Sequence, residues 1–222
     1  WFRILLAGSP RVISMPRLEI VRLERVGDRT IAIELESPPD FEAHPGQFVL
    51  LRATVDGEET TGYYTISSPD VDERFEITVE FDPDGTLGPW LAERTLGDEL
   101  AIEGPLGDIT YKGEDDTIVL AEGPGIGPAV AIAERALASG RSATVIHDGR
   151  TPAHARRLDD LAANGATVVF TDDLAAEIET LDPDAATIHV FGFQQFVEDA
   201  KRALEAAEID LDAVEIESFG PR

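Results

Sequence analysis

The sequence predicts a β plus α/β chain, an N-terminal antiparallel β-barrel followed by a parallel sheet flanked by helices. Three observations predict it. From Arg17 to about Ile102, short runs alternate apolar and polar residues between turn signals. After Gly113-Glu114-Asp115-Asp116 the texture changes to continuously apolar strands that alternate with helical stretches. A Gly-rich turn, Glu122-Gly123-Pro124-Gly125-Ile126-Gly127-Pro128, joins the first of those strands to the first of those helices.

In the first half, Leu18 and Ile20, and then Ile31, Ile33 and Leu35, mark one face at period two. Further strands are expected at Gln47–Thr54, Gly62–Ser67, Phe75–Phe81 and Glu99–Ile102. Turn signals separate them: Val26-Gly27-Asp28, Ser37-Pro38-Pro39-Asp40, Val55-Asp56-Gly57 and Pro83-Asp84-Gly85. Short strands at this spacing favour a closed antiparallel barrel. One short helix fits Pro89 to Arg94, with proline in its first turn.

In the second half, strands are expected at Thr117–Ala121, Ala143–His147, Thr167–Phe170, Thr187–Phe191 and near Val214–Ile216. Helices are expected at Pro128–Ser139, Pro152–Ala163, Leu174–Thr180 and Gln195–Ala207. Strands alternating with helices imply crossover units and a parallel sheet. The expected domains are residues 15–113 and 114–222. The segment 1–14 is read as a leader or non-native extension, because Met15 is the only methionine.

Composition narrows the function. The 222 residues hold 44 Asp and Glu against 18 Lys and Arg, a net charge of -26. Such a surface repels itself at low ionic strength and is relieved by salt. The acids are spread along the chain, which predicts a solvated acidic shell and a halophilic cytoplasm. No basic stripe exists to hold nucleic acid. The absence of Cys excludes disulfides, thiolate nucleophiles and Cys-ligated clusters within the chain. His44, His147, His154 and His189 do not have the spacing of a metal site, so no metal is expected. His44, before Pro45, is read as structural, and Asp172-Asp173 as a helix N-cap. No apolar run is long enough to span a bilayer.

The Gly-rich turn carries the chemistry. Glycines tolerate positive φ and close approach, and a helix N-terminus suits a pyrophosphate. The first strand–helix turn of an open sheet is a usual place for a dinucleotide, and a plain tight turn is the competing reading.

The pattern Gly-x-Gly-x-x-Pro, Gly123 to Pro128, resembles the NAD(P) turn of the ferredoxin–NADP reductase family. Other segments resemble that family in the same order. Upstream are Pro45-Gly46-Gln47-Phe48, Tyr64-Thr65-Ile66-Ser67, Leu96-Gly97-Asp98 and Gly104-Pro105-Leu106-Gly107. Downstream are His147-Asp148-Gly149-Arg150-Thr151, Gly192 and Glu217-Ser218-Phe219. The resemblance covers about residues 17–219 and implies a flavin-binding barrel followed by a Rossmann-like nucleotide domain.

The resemblance implies FAD, with FMN as the alternative, and NADP or NAD. It places Tyr64 on the flavin ring and Thr65 near its N5, within a flavin segment Tyr63, Tyr64, Thr65, Ile66 and Ser67. It gives Gly85, Thr86, Leu87 and Gly88 to the flavin phosphates, with Gly88 where the family often has a hydroxyl. Backbone N–H groups from Leu87 to Trp90 are the substitute donors there. It gives Gly123, Gly125, Ile126, Gly127, Pro128, Arg150, Gly192 and Phe193 to the nicotinamide nucleotide. Arg150 is equally read as a surface arginine, so NADP preference does not follow. Glu217 falls at the flavin–nicotinamide junction and Phe219 over the flavin.

Three departures stand out. The family's phosphate-neutralising Arg falls on Gly62, and Arg52 is the nearest upstream candidate to replace it. Its Thr in the Gly-rich turn is Pro124. Its Cys by the nicotinamide is Phe191, read here as a core residue.

The implied activity is hydride transfer from NAD(P)H to flavin N5, with electrons passed on to ferredoxin or another iron–sulfur carrier. An electron-transfer subunit of a larger oxidoreductase, or a non-enzymatic relative without tight flavin, are the alternatives.

Overall fold

The computed structural model describes residues 15–150, 152–182 and 186–221. The proposed leader 1–14 and Thr151 lie outside the described residues.

The first half folds as β1 (Arg17–Gly27), β2 (Thr30–Glu36), β3 (Phe48–Val55), β4 (Glu58–Ile66), β5 (Arg74–Glu80), α1 (Leu87–Ala92) and β6 (Glu99–Leu106). All pairings are antiparallel, and the strands close into a barrel in the order β1-β2-β5-β4-β3-β6. Alternation sets the core. In β2 and β5, Ile33, Leu35, Phe75, Ile77 and Val79 all point inward and are buried. Helix α1 adds the buried Leu87 and Leu91 to the same core. Each such side chain contributes roughly 1.5–3 kcal/mol by leaving water.

β4 begins four residues earlier than the sequence suggests. It pairs residue for residue with β3 from Thr65↔Phe48 back to Glu58↔Val55. Asp56 and Gly57 close that hairpin with φ of 51° and 87°, the geometry that matches strand twist.

The second half is β7 (Thr117–Glu122), α2 (Ile126–Ala138), β8 (Ala143–Asp148), α3 (Ala155–Ala163), β9 (Thr167–Thr171), α4 (Leu174–Ile178), β10 (Thr187–Gly192), α5 (Gln194–Ala206) and β11 (Val214–Ser218). The sheet is parallel in the order β11-β10-β7-β8-β9, as alternating strands and helices require. Its central strand β7 is buried from Thr117 to Ala121. Ile109 and Tyr111 pack with Val119, Ala129 and Phe191, so the connecting segment shares the core of the sheet.

The helix expected from Pro152 begins at Ala155, because His154 takes φ 57°. Asp173 caps α4, its carboxylate accepting from the Ala176 N–H at 3.2 Å. Among the described residues no helix is long and apolar enough to cross a membrane, and no His/Asp/Glu cluster could hold a metal.

Candidate functional site

A cleft of about 680 Å³ lies where barrel strands β3, β4 and β5 face the C-terminal ends of β7, β10 and β11. That is the end of an open parallel sheet where ligands bind, and the volume suits a cofactor-sized ring.

The barrel wall carries Phe48, Tyr63, Tyr64 and Thr65, which adjacent positions in the β3–β4 hairpin bring together. Phe48 and Tyr63 meet edge to face, ring centroids 5.7 Å apart. The opposite wall carries Phe193 and Phe219, again edge to face at 6.2 Å. Pro124, from the Gly-rich turn, completes it. Aromatic faces on two sides of a slot suit a flat conjugated ring.

The C-terminal segment is pinned in place. β11 pairs with β10 through Gly192↔Ser218. Beyond it, Phe219 N–H donates to the Gly192 carbonyl at 2.9 Å and Gln194 N–H to the Gly220 carbonyl at 2.9 Å. Glu217 and Phe219 are thereby held at the cleft despite their position near the chain end.

The polar groups of the cleft are few. Thr65 is buried and its hydroxyl has no hydrogen-bond partner, a costly state unless a ligand accepts it. Glu217 is half-buried; burial raises its pKa above the usual carboxylate value, and the Asp108 carboxylate raises it further. Burial likewise raises the Tyr64 phenol. Glu80 is the second carboxylate of the lining. No arginine, lysine or histidine lines the cleft among the described residues.

Several sequence-predicted residues stand elsewhere. Ile66 and Ile126 are fully buried core side chains. Ser67 is buried too, its hydroxyl donating to Glu76 at 2.7 Å. The glycines serve chain packing. A Cβ on Gly125 would run into the Phe191 carbonyl, and one on Gly192 into the Phe196 ring. A Cβ on Gly127 would lie 2.7 Å from Thr65 Oγ1 and 3.0 Å from the Thr78 side chain. The close approach Gly127 allows is therefore that of helix α2 to the barrel. Pro128 is buried beside it, and Gly123, at φ 55°, sits close to the Phe193 ring of the cleft.

Arg150 is exposed and ion-paired with Asp172, away from the cleft lining. Gly85 and Thr86 are exposed, Leu87 belongs to the barrel core, and Gly88 packs on Phe81. Phe191 is fully buried in the sheet core. Arg52 pairs with Glu59 at 3.1 Å on an exposed face and does not stand in for the missing arginine.

Sequence reasoning missed the seam that holds the cleft together. Thr78 Oγ1 and His154 Nε2 share a buried 2.8 Å hydrogen bond. Arg157 bonds Glu134 at 2.7 Å, Glu76 at 2.9 Å and the Ser67 carbonyl at 2.6 Å. Thr78 and Glu80 had one signal: they are the polar, outward positions alternating with Ile77 and Val79.

Residues 18–111 match the family described as oxidoreductase FAD-binding domain. Over 131 residues the chain is 37% identical to the glycine betaine monooxygenase reductase subunit of Chromohalobacter salexigens, covering 56% of this chain and 35% of that one. It is 31% identical over 194 residues to the ferredoxin reductase component of 3-ketosteroid-9-alpha-monooxygenase from Mycolicibacterium smegmatis, 79% of this chain and 55% of the other. The barrel of this chain thus matches an oxidoreductase FAD-binding domain, and these two relatives are reductase subunits or components. Among solved structures of this fold, a ferredoxin NADP+ reductase from Neisseria gonorrhoeae with bound FAD and NADP superposes with a TM-score of 0.78 at 16% identity, covering 93% and 99% of the two chains. The chain spans between about a third and three fifths of the length of the first curated relatives it matches, 35% to 58%.

Proposed function

We propose that this chain is a member of the ferredoxin–NADP reductase family and an NAD(P)H-dependent flavoprotein reductase that passes electrons to ferredoxin or another iron–sulfur carrier. The observation that carries the reading is the aromatic slot, with Phe48, Tyr63 and Tyr64 on one wall and Phe193 and Phe219 on the other. The residues fit a flavin ring: Tyr63, Tyr64 and Phe48 on one side, Phe193 and Phe219 on the other. A bound flavin supplies acceptance of hydride from a nicotinamide and onward release of electrons.

The chain supplies the setting for that chemistry. Tyr64 and Phe219 bound the ring and exclude water. Thr65, whose buried hydroxyl lies against Gly127, would support the wall beside Tyr64 and would need a small side-chain shift to reach the ring. Glu217, whose carboxyl burial and the Asp108 carboxylate raise above the usual carboxylate value, stands at the cleft wall. Phe193 and Pro124, at the ends of the parallel sheet, bound the side from which a nicotinamide enters. The glycine-rich turn positions Pro124 and the start of α2, and Arg150 remains the candidate contact for the far end of the nucleotide.

A second reading has its own support. Two of the relatives are reductase subunits or components of monooxygenases, which favours an electron-transfer subunit working beside a separate oxygenase. The proposed units are a barrel domain, residues 15–113, and a nucleotide domain, residues 114–222. The acidic shell supports a salt-rich cytoplasm as the setting.

The test is direct. Purified in molar KCl, the protein should bind FAD or FMN, and NADH or NADPH should bleach the bound flavin in the absence of oxygen. Protein that takes up no flavin would overturn the reading, and a co-purifying oxygenase would favour the subunit role.

A further inference from the structure

The cleft is unusual in what it does not offer a flavin. The ring portion finds aromatic walls. For a phosphate the described lining offers no arginine, lysine or histidine, and its ionisable side chains besides the tyrosines are the carboxylates of Glu80 and Glu217. Residue 62 is a glycine, and the space a side chain there would use is occupied. A Cβ on Gly62 would lie 2.9 Å from the Tyr64 hydroxyl and 3.0 Å from a Leu87 methyl. The loop before α1 adds carboxylates, with Asp82 and Asp84 both exposed. Arg52 and Arg150, which might have reached inward, are each tied to a carboxylate on the surface.

Riboflavin is uncharged, FMN adds a phosphate dianion, and FAD adds a pyrophosphate with two negative charges. A phosphate anchored by a charge-assisted hydrogen bond gains about ten- to a hundredfold in affinity. No described side chain of the lining supplies that gain, and a chain of net charge -26 opposes it at low salt.

We infer that this cleft recognises a flavin by its ring and is indifferent to its phosphates, so that riboflavin, FMN and FAD compete for it as exchangeable ligands. The inference rests on the flavin reading above and deepens it, since it assigns the ligand class as flavins in general and not FAD in particular. It also gives salt a specific role. Screening should help FAD and FMN and leave riboflavin nearly unchanged.

Titration of the flavin-free protein with each flavin, followed by quenching of flavin fluorescence, decides it. In molar KCl, FAD should bind less than about tenfold more tightly than riboflavin, the lower limit for one charge-assisted contact. In dilute KCl, riboflavin should become the tightest of the three. A preference for FAD of about tenfold or more in molar KCl overturns the inference while leaving the flavin reading intact. Failure of all three to bind overturns both.

Gly62→Arg supplies an independent check. The added side chain displaces the Tyr64 hydroxyl and a Leu87 methyl, a shift that acts on all three flavins alike. The variant should therefore gain about tenfold or more in FAD affinity relative to riboflavin. A folded variant with no such gain for FAD counts against the inference, and the wild-type ranking decides by itself if the variant does not fold.

Discussion

Thr78 Oγ1 on barrel strand β5 and His154 Nε2 at the entry to helix α3 lie 2.8 Å apart in a buried seam between the barrel and the parallel sheet. His154 is fixed there by its backbone too, donating its N–H to the Val26 carbonyl at 2.9 Å. Arg157, one turn later, reaches α2 through Glu134 and the barrel through Glu76 and Ser67. A single turn of chain therefore sets how the two halves meet. Thr78 also lines the cleft, so seam and cleft share a residue.

Arg157→Met should destabilise the protein strongly. It leaves Glu76 and Glu134, whose side chains are only 20% and 28% exposed, without their cation. Breaking one side of a largely buried pair costs about 3 kcal/mol. Urea unfolding in molar KCl measures it. A loss no larger than that of an exposed pair, under about 1 kcal/mol, would mean that the seam is not held this way.

His189→Leu should stabilise. Both ring nitrogens of His189 are buried without partners, and removing them recovers about 1–3 kcal/mol at neutral pH. The gap should depend on pH. Burial holds the folded His189 at about 4, against 6.5 for the ordinary group. Below pH 6.5 the unfolded chain takes up a proton that the folded chain refuses until about pH 4, so wild-type stability falls across that window. The variant lacks this loss, and its advantage should widen as pH drops from 6.5 to 4. His154, lowered to about 3 by burial and by Arg157, adds the same trend to both proteins. Burial raises Glu76, which acts with opposite sign in both and cancels in the difference. An advantage that stays constant with pH would contradict the burial of His189.

Gly127→Ala should weaken flavin binding more than it weakens the fold. The added methyl meets Thr65 Oγ1 at 2.7 Å, a side chain on the cleft wall, and pushes helix α2 off the barrel there. A drop in flavin affinity of about tenfold corresponds to a loss of about 1.4 kcal/mol. Fluorescence titration beside a melting curve separates the two effects, and unchanged affinity would show that Thr65 does not face the ligand.

Melting temperature should climb as KCl rises from dilute to molar. The surface carries 44 acids against 18 basic residues, and ion pairs such as Arg17 with Glu99 are more than half exposed on both sides. Screening weakens those pairs slightly but removes far more repulsion. A flat or falling melting temperature would refute the halophilic reading.

The fold was legible because its signals are local. Alternation at Ile31, Ile33 and Leu35 and the unbroken apolar run Ile118 to Ala121 each name their strand type from a few residues. The cleft was half legible. Tyr64, Thr65, Phe193, Glu217 and Phe219 do line it. The glycines were harder, because a glycine that admits a ligand and one that admits a neighbouring strand look alike in sequence. Gly125 faces the Phe191 backbone, which comes from a strand some sixty residues away in the chain and is brought there by the sheet order. The same holds for Arg157 and His154. Thr78, Glu76 and Ser67 reach them from the other half of the chain, and no spacing rule reports such contacts.

The most direct measurement is anaerobic mixing of the flavin-loaded protein with NADH and with NADPH in molar KCl, read at the flavin's blue absorbance band. The expected result is loss of that band with at least one of the two, faster than for the same flavin free in solution, and slowed when Tyr64 or Thr65 is replaced by alanine. A band that persists with both nucleotides, or fades no faster than without protein, would contradict the assignment of the aromatic cleft as a flavin reduction site.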